Sequence, residues 1–286
     1  MATITTATPL GDLNLDEQSE TQFSAYLPES FCFDGRGFGG YTAALAAAAG
    51  SRWSSGRQLN SIHALFPNVA VPGDLELKVQ PLVQGRSADA CQVRVDQDGK
   101  TVVLASCWFV EANLIGDPEV SEGDASARPR PGSSEPAPSP ESCPEIPWIA
   151  EVAPFLKGFH ARSVDYPVTL EEFEAGFRDG GNSISLWAVP DETYSDPMAG
   201  RLSDIMFLDA HLVDAVLRDE QPDTAVVTLD LSATWTRLAN PPVATLLHAN
   251  AGTRGQLATI EAALIDRNGE PRATATSQGR IYRPRG

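Results

Sequence analysis

Residues 85–110 and 255–280 repeat one another at an offset of 170 positions. Gly85 aligns with Gly255, Ala88 with Ala258, Asp96 with Asp266, Gly99 with Gly269 and Ala105 with Ala275. Each copy is a pair of strand-length runs around a two-residue turn, Gln97-Asp98-Gly99-Lys100 in the first and Arg267-Asn268-Gly269-Glu270 in the second. Asp-Gly and Asn-Gly are the dipeptides a type I′ hairpin requires, because both central residues need φ > 0. Five identities in 26 positions are weak alone. Matching turns at the same offset make a duplicated domain the better reading. The copies differ where Trp108 of the first aligns with Gln278 of the second, and duplication followed by divergence of one half is a route to a single site in a two-domain chain.

A length of 286 residues agrees with two domains. Between the repeats, from Asp117 to Pro147, Pro, Ser, Glu and Gly dominate. Such a segment buries too little apolar surface to offset its ordering entropy and reads as a flexible linker. The expected division is therefore residues 1–112, a linker over 113–150, and residues 151–286. A net charge of −17, part of it in the linker, argues against nucleic acid and anionic membrane as partners. No apolar run approaches ~18 residues, so no transmembrane helix is expected. Met1–Thr6 lacks a basic region followed by an apolar one, and Arg283-Pro284-Arg285-Gly286 matches no targeting or prenylation signal. Cys32, Cys91, Cys107 and Cys143 share no metal-like spacing and fit a reduced, cytoplasmic protein.

In the first half, Gly39-Gly40-Tyr41 opens an Ala-rich stretch to Ala49 that predicts a buried helix with Gly50 as its C-cap. Four β-like runs follow, near Leu59–Val69, Leu75–Val83, Ala88–Val95 and Thr101–Val110. The second half repeats the order. Runs at Gly158–Val164 and Ile184–Val189 precede Ser203-Asp204, an N-cap pair for a helix over Ile205–Leu217. Four runs then come near Thr224–Arg237, Ala244–Asn250, Gln256–Ile265 and Arg272–Tyr282. A helix followed by an antiparallel meander, twice over, is an α+β arrangement. One helix wrapped by a curved antiparallel sheet is a hot-dog fold, and two in tandem make a double hot dog.

Phe38-Gly39-Gly40, Ser61-Ile62-His63, Pro72-Gly73-Asp74 and Gly85-Arg86-Ser87 in the first half resemble the acyl-CoA thioesterase II (TesB-like) family. So do Ser203-Asp204-x-x-Phe207-Leu208, Thr228-Leu229-Asp230 and Ser277-Gln278-Gly279 in the second. The resemblance covers nearly the whole chain outside the linker. It implies hydrolysis of acyl-CoA, or a related acyl thioester, to a free acid and CoA, in lipid metabolism. The family's water-positioning Asp, Thr and Gln fall on Asp204, Thr228 and Gln278. Asp204 is the only carboxylate of the three and would be the general base; Thr228 offers a hydroxyl, and Gln278 an amide. With Asp204 at a helix start, N-terminal N–H groups would hold a developing oxyanion. Such a site needs no metal or other cofactor. Gly39 and Gly40 would lie along the acyl or pantetheine chain. Arg86, after a turn, is either a contact for CoA phosphate or a solvated arginine. A homodimer or larger homo-oligomer is compatible with the fold. Two departures from the family pattern stand out: Leu186-Trp187-Ala188 lacks the family's basic residue, and Asp209-Ala210-His211-Leu212-Val213-Asp214 is polar for a core helix.

Other chemistries fare worse. Gly35-Arg36-Gly37-Phe38-Gly39-Gly40 satisfies the dinucleotide fingerprint, but no acidic residue lies between Asp34 and Asp74 to meet a ribose. His63, His160, His211 and His248 all lack an Asp five positions earlier, the spacing of hot-dog hydratases. No Gly-x-Ser-x-Gly elbow occurs. The alternative to hydrolysis is a double hot dog acting as an isomerase, a cyclase or an acyl-binding protein.

Overall fold

The computed structural model describes residues 13, 15–54, 56–115, 137–156, 158–176, 181–190, 197–220, 223–237 and 244–283. The first half contains strands β1 (Asp16–Ser19), β2 (Gln22–Leu27), β3 (Cys32–Phe33) and β4 (Arg36–Gly37), then helix α1 (Gly39–Ser54). Strands β5 (Gln58–Leu65), β6 (Gly73–Gln84), β7 (Ala88–Gln97) and β8 (Lys100–Val110) complete it. The second half has short helix α2 (Trp148–Val152), β9 (Phe159–Asp165), α3 (Leu170–Gly176), β10 (Ser183–Pro190) and the long helix α4 (Pro197–Leu217). It ends in β11 (Ala225–Trp235), β12 (Thr245–Arg254), β13 (Leu257–Ile265) and β14 (Pro271–Tyr282).

Among the described residues twelve strands form one sheet in the order β1-β2-β6-β7-β8-β5-β11-β14-β13-β12-β10-β9, and neighbouring strands pair antiparallel throughout. The order reads alike from both ends. At the centre β5 pairs with β11, Asp230 opposite Leu65 and Thr234 opposite Ser61. Outward from there β8 matches β14, β7 matches β13 and β6 matches β12. These are the partners the repeat demands, so the duplication seen in sequence is a duplication of structure. Helices α1 and α4 pack on each other within the curve of the sheet, and one apolar core runs through both halves. This is the expected double hot dog.

The two repeat turns differ. Asp98 and Gly99 both have positive φ, 49° and 73°, as a type I′ hairpin requires. In the second copy Gly269 alone does, at 83°. There the Gly269 N–H donates to the Asp266 carbonyl at 3.0 Å and Asp266 Oδ1 accepts from the Asn268 N–H at 2.8 Å. The Asp266 side chain thus closes the turn itself, and Asn268 stays out of the left-handed region.

Both helices exceed their expected limits. Helix α1 runs past Gly50, whose missing Cβ leaves room for Phe109 and Cys91: a Cβ there would lie 3.0 Å from the Phe109 ring and 3.2 Å from Cys91 Sγ. Gly50 is a close approach of helix to sheet, not a cap. Helix α4 begins at Pro197, where a proline at the first position costs no hydrogen bond. Ser203 and Asp204 therefore stand well inside it. Most of the expected linker, 116–136, lies outside the described residues. Its end is built onto the outer face of the sheet: the Trp187 indole N–H donates to the Pro138 carbonyl at 3.1 Å and Arg162 pairs with Glu145 at 2.6 Å. Trp187 belongs with Cys143 and Leu246 to a small outer cluster, whereas its neighbours Leu186 and Ala188 face the main core.

Candidate active site

Helix α4 is buried nearly all round, yet it carries three aspartates in its interior. Asp204 is 6% exposed, and both its oxygens are engaged. Arg272 of β14 donates to Oδ2 at 2.5 Å and also to Oδ1, and the Trp235 indole N–H donates to Oδ2 at 2.8 Å. Asp214 is similarly occupied. One of its oxygens accepts from the Tyr166 hydroxyl at 2.8 Å and lies 3.1 Å from His211 Nδ1.

Asp209 differs. Its Oδ2 accepts the Gly40 N–H at 2.6 Å, while the buried Oδ1 has no hydrogen-bond partner. Burial raises its carboxyl from 3.8 to about 6, and the Gly40 N–H and the Thr228 side chain pull the other way. Gly40 belongs to the first turn of α1, whose N-terminal N–H groups and dipole also favour an anion. Desolvation wins over these contacts, leaving a base that is ionised at neutral pH and still basic enough to take a proton.

Two local features bring these groups together. Gly39 and Gly40 let the helices meet: a Cβ on Gly39 would lie 2.9 Å from Asp209 Oδ2, and one on Gly40 would lie 2.7 Å from the Phe38 ring and 3.0 Å from Asp209 Cβ. The second feature is a bulge in β11. Thr228 pairs with Gly279 and Asp230 with Gln278, leaving Leu229 as an extra residue. Beyond the bulge Leu231, Ala233 and Trp235 point into the core; before it the inward parity shifts by one, so Val226 and Thr228 face in. The first half has the same bulge. Leu59 pairs with Phe109 and Ser61 with Trp108, so by the 170-residue offset Phe109 stands for Gly279, and by strand pairing Leu59 stands for Thr228. Leu59 and Phe109 are both fully buried.

Of the expected site residues, the structure joins Gly39, Gly40 and Thr228 to a carboxylate, but that carboxylate is Asp209. Asp204 lies five residues earlier, about 140° around the helix, locked to Arg272. It is also seven residues past the start of α4, so the N-terminal N–H groups of that helix are not beside it. Gln278 is exposed on the outer face of β14, between inward Ser277 and Gly279, and only its backbone N–H is held, by Asp230 Oδ1 at 2.8 Å. Trp108, its counterpart, is also exposed on the outside; the inward-facing difference between the two copies lies one residue further along, at Phe109 and Gly279. Arg86 is exposed in the β6–β7 turn, where its carbonyl accepts from Arg57, itself paired with Asp89. Asp89 in turn accepts from Ser54 at the last residue of α1. Sixteen helical residues, about 24 Å, separate that end from Gly39. His63 is exposed on the outer face opposite Ser232 and Ser106, away from the carboxylate.

Among the described residues no group of three His, Cys, Asp or Glu side chains could hold a metal ion, and no helix is long and apolar enough to cross a membrane.

Residues 27–110 match the acyl-CoA thioesterase N-terminal domain. No curated protein matches the chain in sequence. The fold is similar to those of solved structures over nearly the whole chain. It superposes on a tesB protein of Mycobacterium avium subspecies paratuberculosis with a TM-score of 0.76 at 20% identity, covering 96% of this chain and 98% of that one. An acyl-CoA thioesterase II of Mycobacterium marinum gives 0.73 at 16% identity, with 97% and 99% covered. A hot-dog protein of Alicyclobacillus acidocaldarius gives 0.75 at 17% identity, with 98% and 100% covered.

Proposed function

We propose that this double hot dog, whose residues 27–110 match the acyl-CoA thioesterase N-terminal domain, hydrolyses acyl-CoA thioesters with Asp209 as general base. The observation that carries the reading is the half-satisfied carboxylate: buried, held by the Gly40 N–H and the Thr228 side chain, with Oδ1 unpartnered. A buried carboxylate oxygen without a donor is costly, and a water donating to Oδ1 would satisfy it.

In the reaction Asp209 takes a proton from that water as its oxygen bonds to the thioester carbonyl carbon. The tetrahedral intermediate then collapses with cleavage of the C–S bond. The proton returns to the departing CoA sulfur, and the free acid remains. The positive end of α1 faces the negative charge as it develops. Asp204 serves differently, as the counter-charge that holds Arg272. The resemblance to thioesterases, in sequence over the first half and in fold over the whole, supports this reaction class above isomerisation or cyclisation.

The test is free-thiol release from a panel of acyl-CoAs, acetyl through palmitoyl and benzoyl, by wild type and Asp209→Asn. Turnover that falls 10²–10⁴-fold in the variant is expected for a lost general base. No release from any member of the panel by the folded wild type would overturn the proposal.

A further inference from the structure

Arg201, in the second turn of α4, is 0% exposed. Its Nε and Nη1 have no hydrogen-bond partner, and Nη2 makes only a 3.4 Å contact with the Arg237 carbonyl. The guanidinium lies over the Trp235 ring, 5.2 Å from its centroid, which compensates part of a buried charge. Burial and neighbouring Arg272 push it down to about 10, against the pull of Asp204, so it stays cationic at neutral pH.

The charges around it do not balance. Arg201 and Arg272 are both buried, and the carboxylate between them, Asp204, already accepts three hydrogen bonds from Arg272 and Trp235. Arg272 also donates to Thr245 Oγ1 at 2.8 Å. Nearby Arg237 has its own partners, Asp266 at 3.8 Å and Glu270 at 3.5 Å. One positive charge is left over, on a side chain with two idle donors. Buried ions persist when paired and hydrogen-bonded, and guanidinium donors match carboxylate geometry.

We infer that Arg201 is a recognition site for the carboxylate of a small ligand, separate from the Asp209 centre. One monoanion cancels the surplus charge; a phosphate dianion would reverse it. Arg201 precedes Asp209 by eight residues, about 12 Å along the same helix, a span that a medium-length acyl chain can bridge. The carboxylate then comes either from a free carboxylic acid or from the far end of a dicarboxylic acyl group.

Equilibrium unfolding of the whole chain tests this independently of turnover. Wild type, Arg201→Met and Arg201→Lys are dialysed into a chloride buffer free of carboxylate and phosphate, then titrated with octanoate, suberate or inorganic phosphate at constant ionic strength. Octanoate or suberate should stabilise wild type saturably, with apparent affinity at least tenfold weaker in Arg201→Met and intermediate in Arg201→Lys. Without ligand, Arg201→Met should be as stable as wild type or more so, because an unpaired charge has gone. A response to both acids marks a free-acid site. A response to suberate alone, with a KM for suberoyl-CoA below that for octanoyl-CoA that rises in Arg201→Met and less in Arg201→Lys, marks the far end of the substrate. Absence of a carboxylate response, stabilisation by phosphate alone, or a ligand-free Arg201→Met that is destabilised or fails to fold would each overturn the assignment.

Discussion

Replacing Asp209 with Asn should make the protein more stable while making it inactive, and the gain should depend on pH in a defined way. Below about pH 3, well under the unfolded value of 3.8, the carboxyl is protonated in both folded and unfolded chains and contributes nothing. As pH rises from about 3 to 6 the unfolded chain releases the proton while the folded protein retains it, because burial has raised its carboxyl from 3.8 to about 6. The folded state then binds more protons than the unfolded, so stability falls with rising pH across that window. Above it the deficit is constant, and a gap of that size corresponds to about 3 kcal/mol. Asn has the same shape and carries no charge. Its amide oxygen can still accept from Gly40, and its N–H₂ can donate to Thr228. The variant should therefore gain roughly 6 °C or more in Tm at pH 8, and the gain should shrink to about 0.5 kcal/mol at pH 4 and vanish near pH 3. Denaturant unfolding of both proteins from about pH 3 to 8 measures this directly. Asp204→Asn provides the opposite sign: it leaves Arg272 buried without its counter-charge, a loss of about 3–5 kcal/mol. A destabilised Asp209→Asn at pH 8, or a gap that does not change with pH, would refute the account of Asp209 as a desolvated, half-satisfied base.

Three further outcomes are expected. Gly40→Ala places a Cβ 2.7 Å from the Phe38 ring and 3.0 Å from Asp209 Cβ; it should cost about 1–3 kcal/mol and lower kcat by at least tenfold in the thiol-release assay. Thr228→Val removes a contact that favours the Asp209 anion, so the acid limb of the kcat/KM profile should move to higher pH and kcat should fall, while Thr228→Ser keeps both near wild type. Gln278→Ala and Arg86→Ala change side chains exposed away from Asp209, and steady-state kinetics should show kcat and KM within about twofold of wild type.

Much of the fold could be read from local rules, because the signals were backbone ones. Asp98-Gly99 fixed one hairpin, the repeat fixed its counterpart, and the Ala-rich run could only be a buried helix. Thr228 and the Gly39–Gly40 pair, which the proposed reading keeps, were named through the motif resemblance; Asp209, its proposed base, was not. Ser203-Asp204 looks like a helix start only while Pro197 is not known to open α4. Once the helix is seen to be buried all round, any ionisable side chain on it needs a partner, and five such side chains (Arg201, Asp204, Asp209, His211 and Asp214) must be sorted by tertiary contacts separated by tens of residues. The polar run from Asp209 to Asp214 was the available signal. The outward placement of Gln278 was hidden for a related reason: the pairing across β11 and β14 shifts by one at Leu229, and a bulge leaves no trace in composition.

The shared bulge carries a consequence for how such a chain acquires a single reaction centre. Both halves inherited the same backbone irregularity, so both offered an inward-facing pair of positions beside a helix. In one half the pair is Leu59 and Phe109, mortar that sets the barrel of side chains around α1; in the other it is Thr228 and Gly279, where Val226 already crowds the missing Cβ at 2.9 Å. On the proposed reading the doublet needed only a division of labour: one copy filled this pair of positions with large apolar side chains, and the other kept them small beside a buried carboxylate. Emptying the filled copy would sacrifice an anchor worth about 3–5 kcal/mol at Phe109 alone, so the asymmetry, once established, locks itself in.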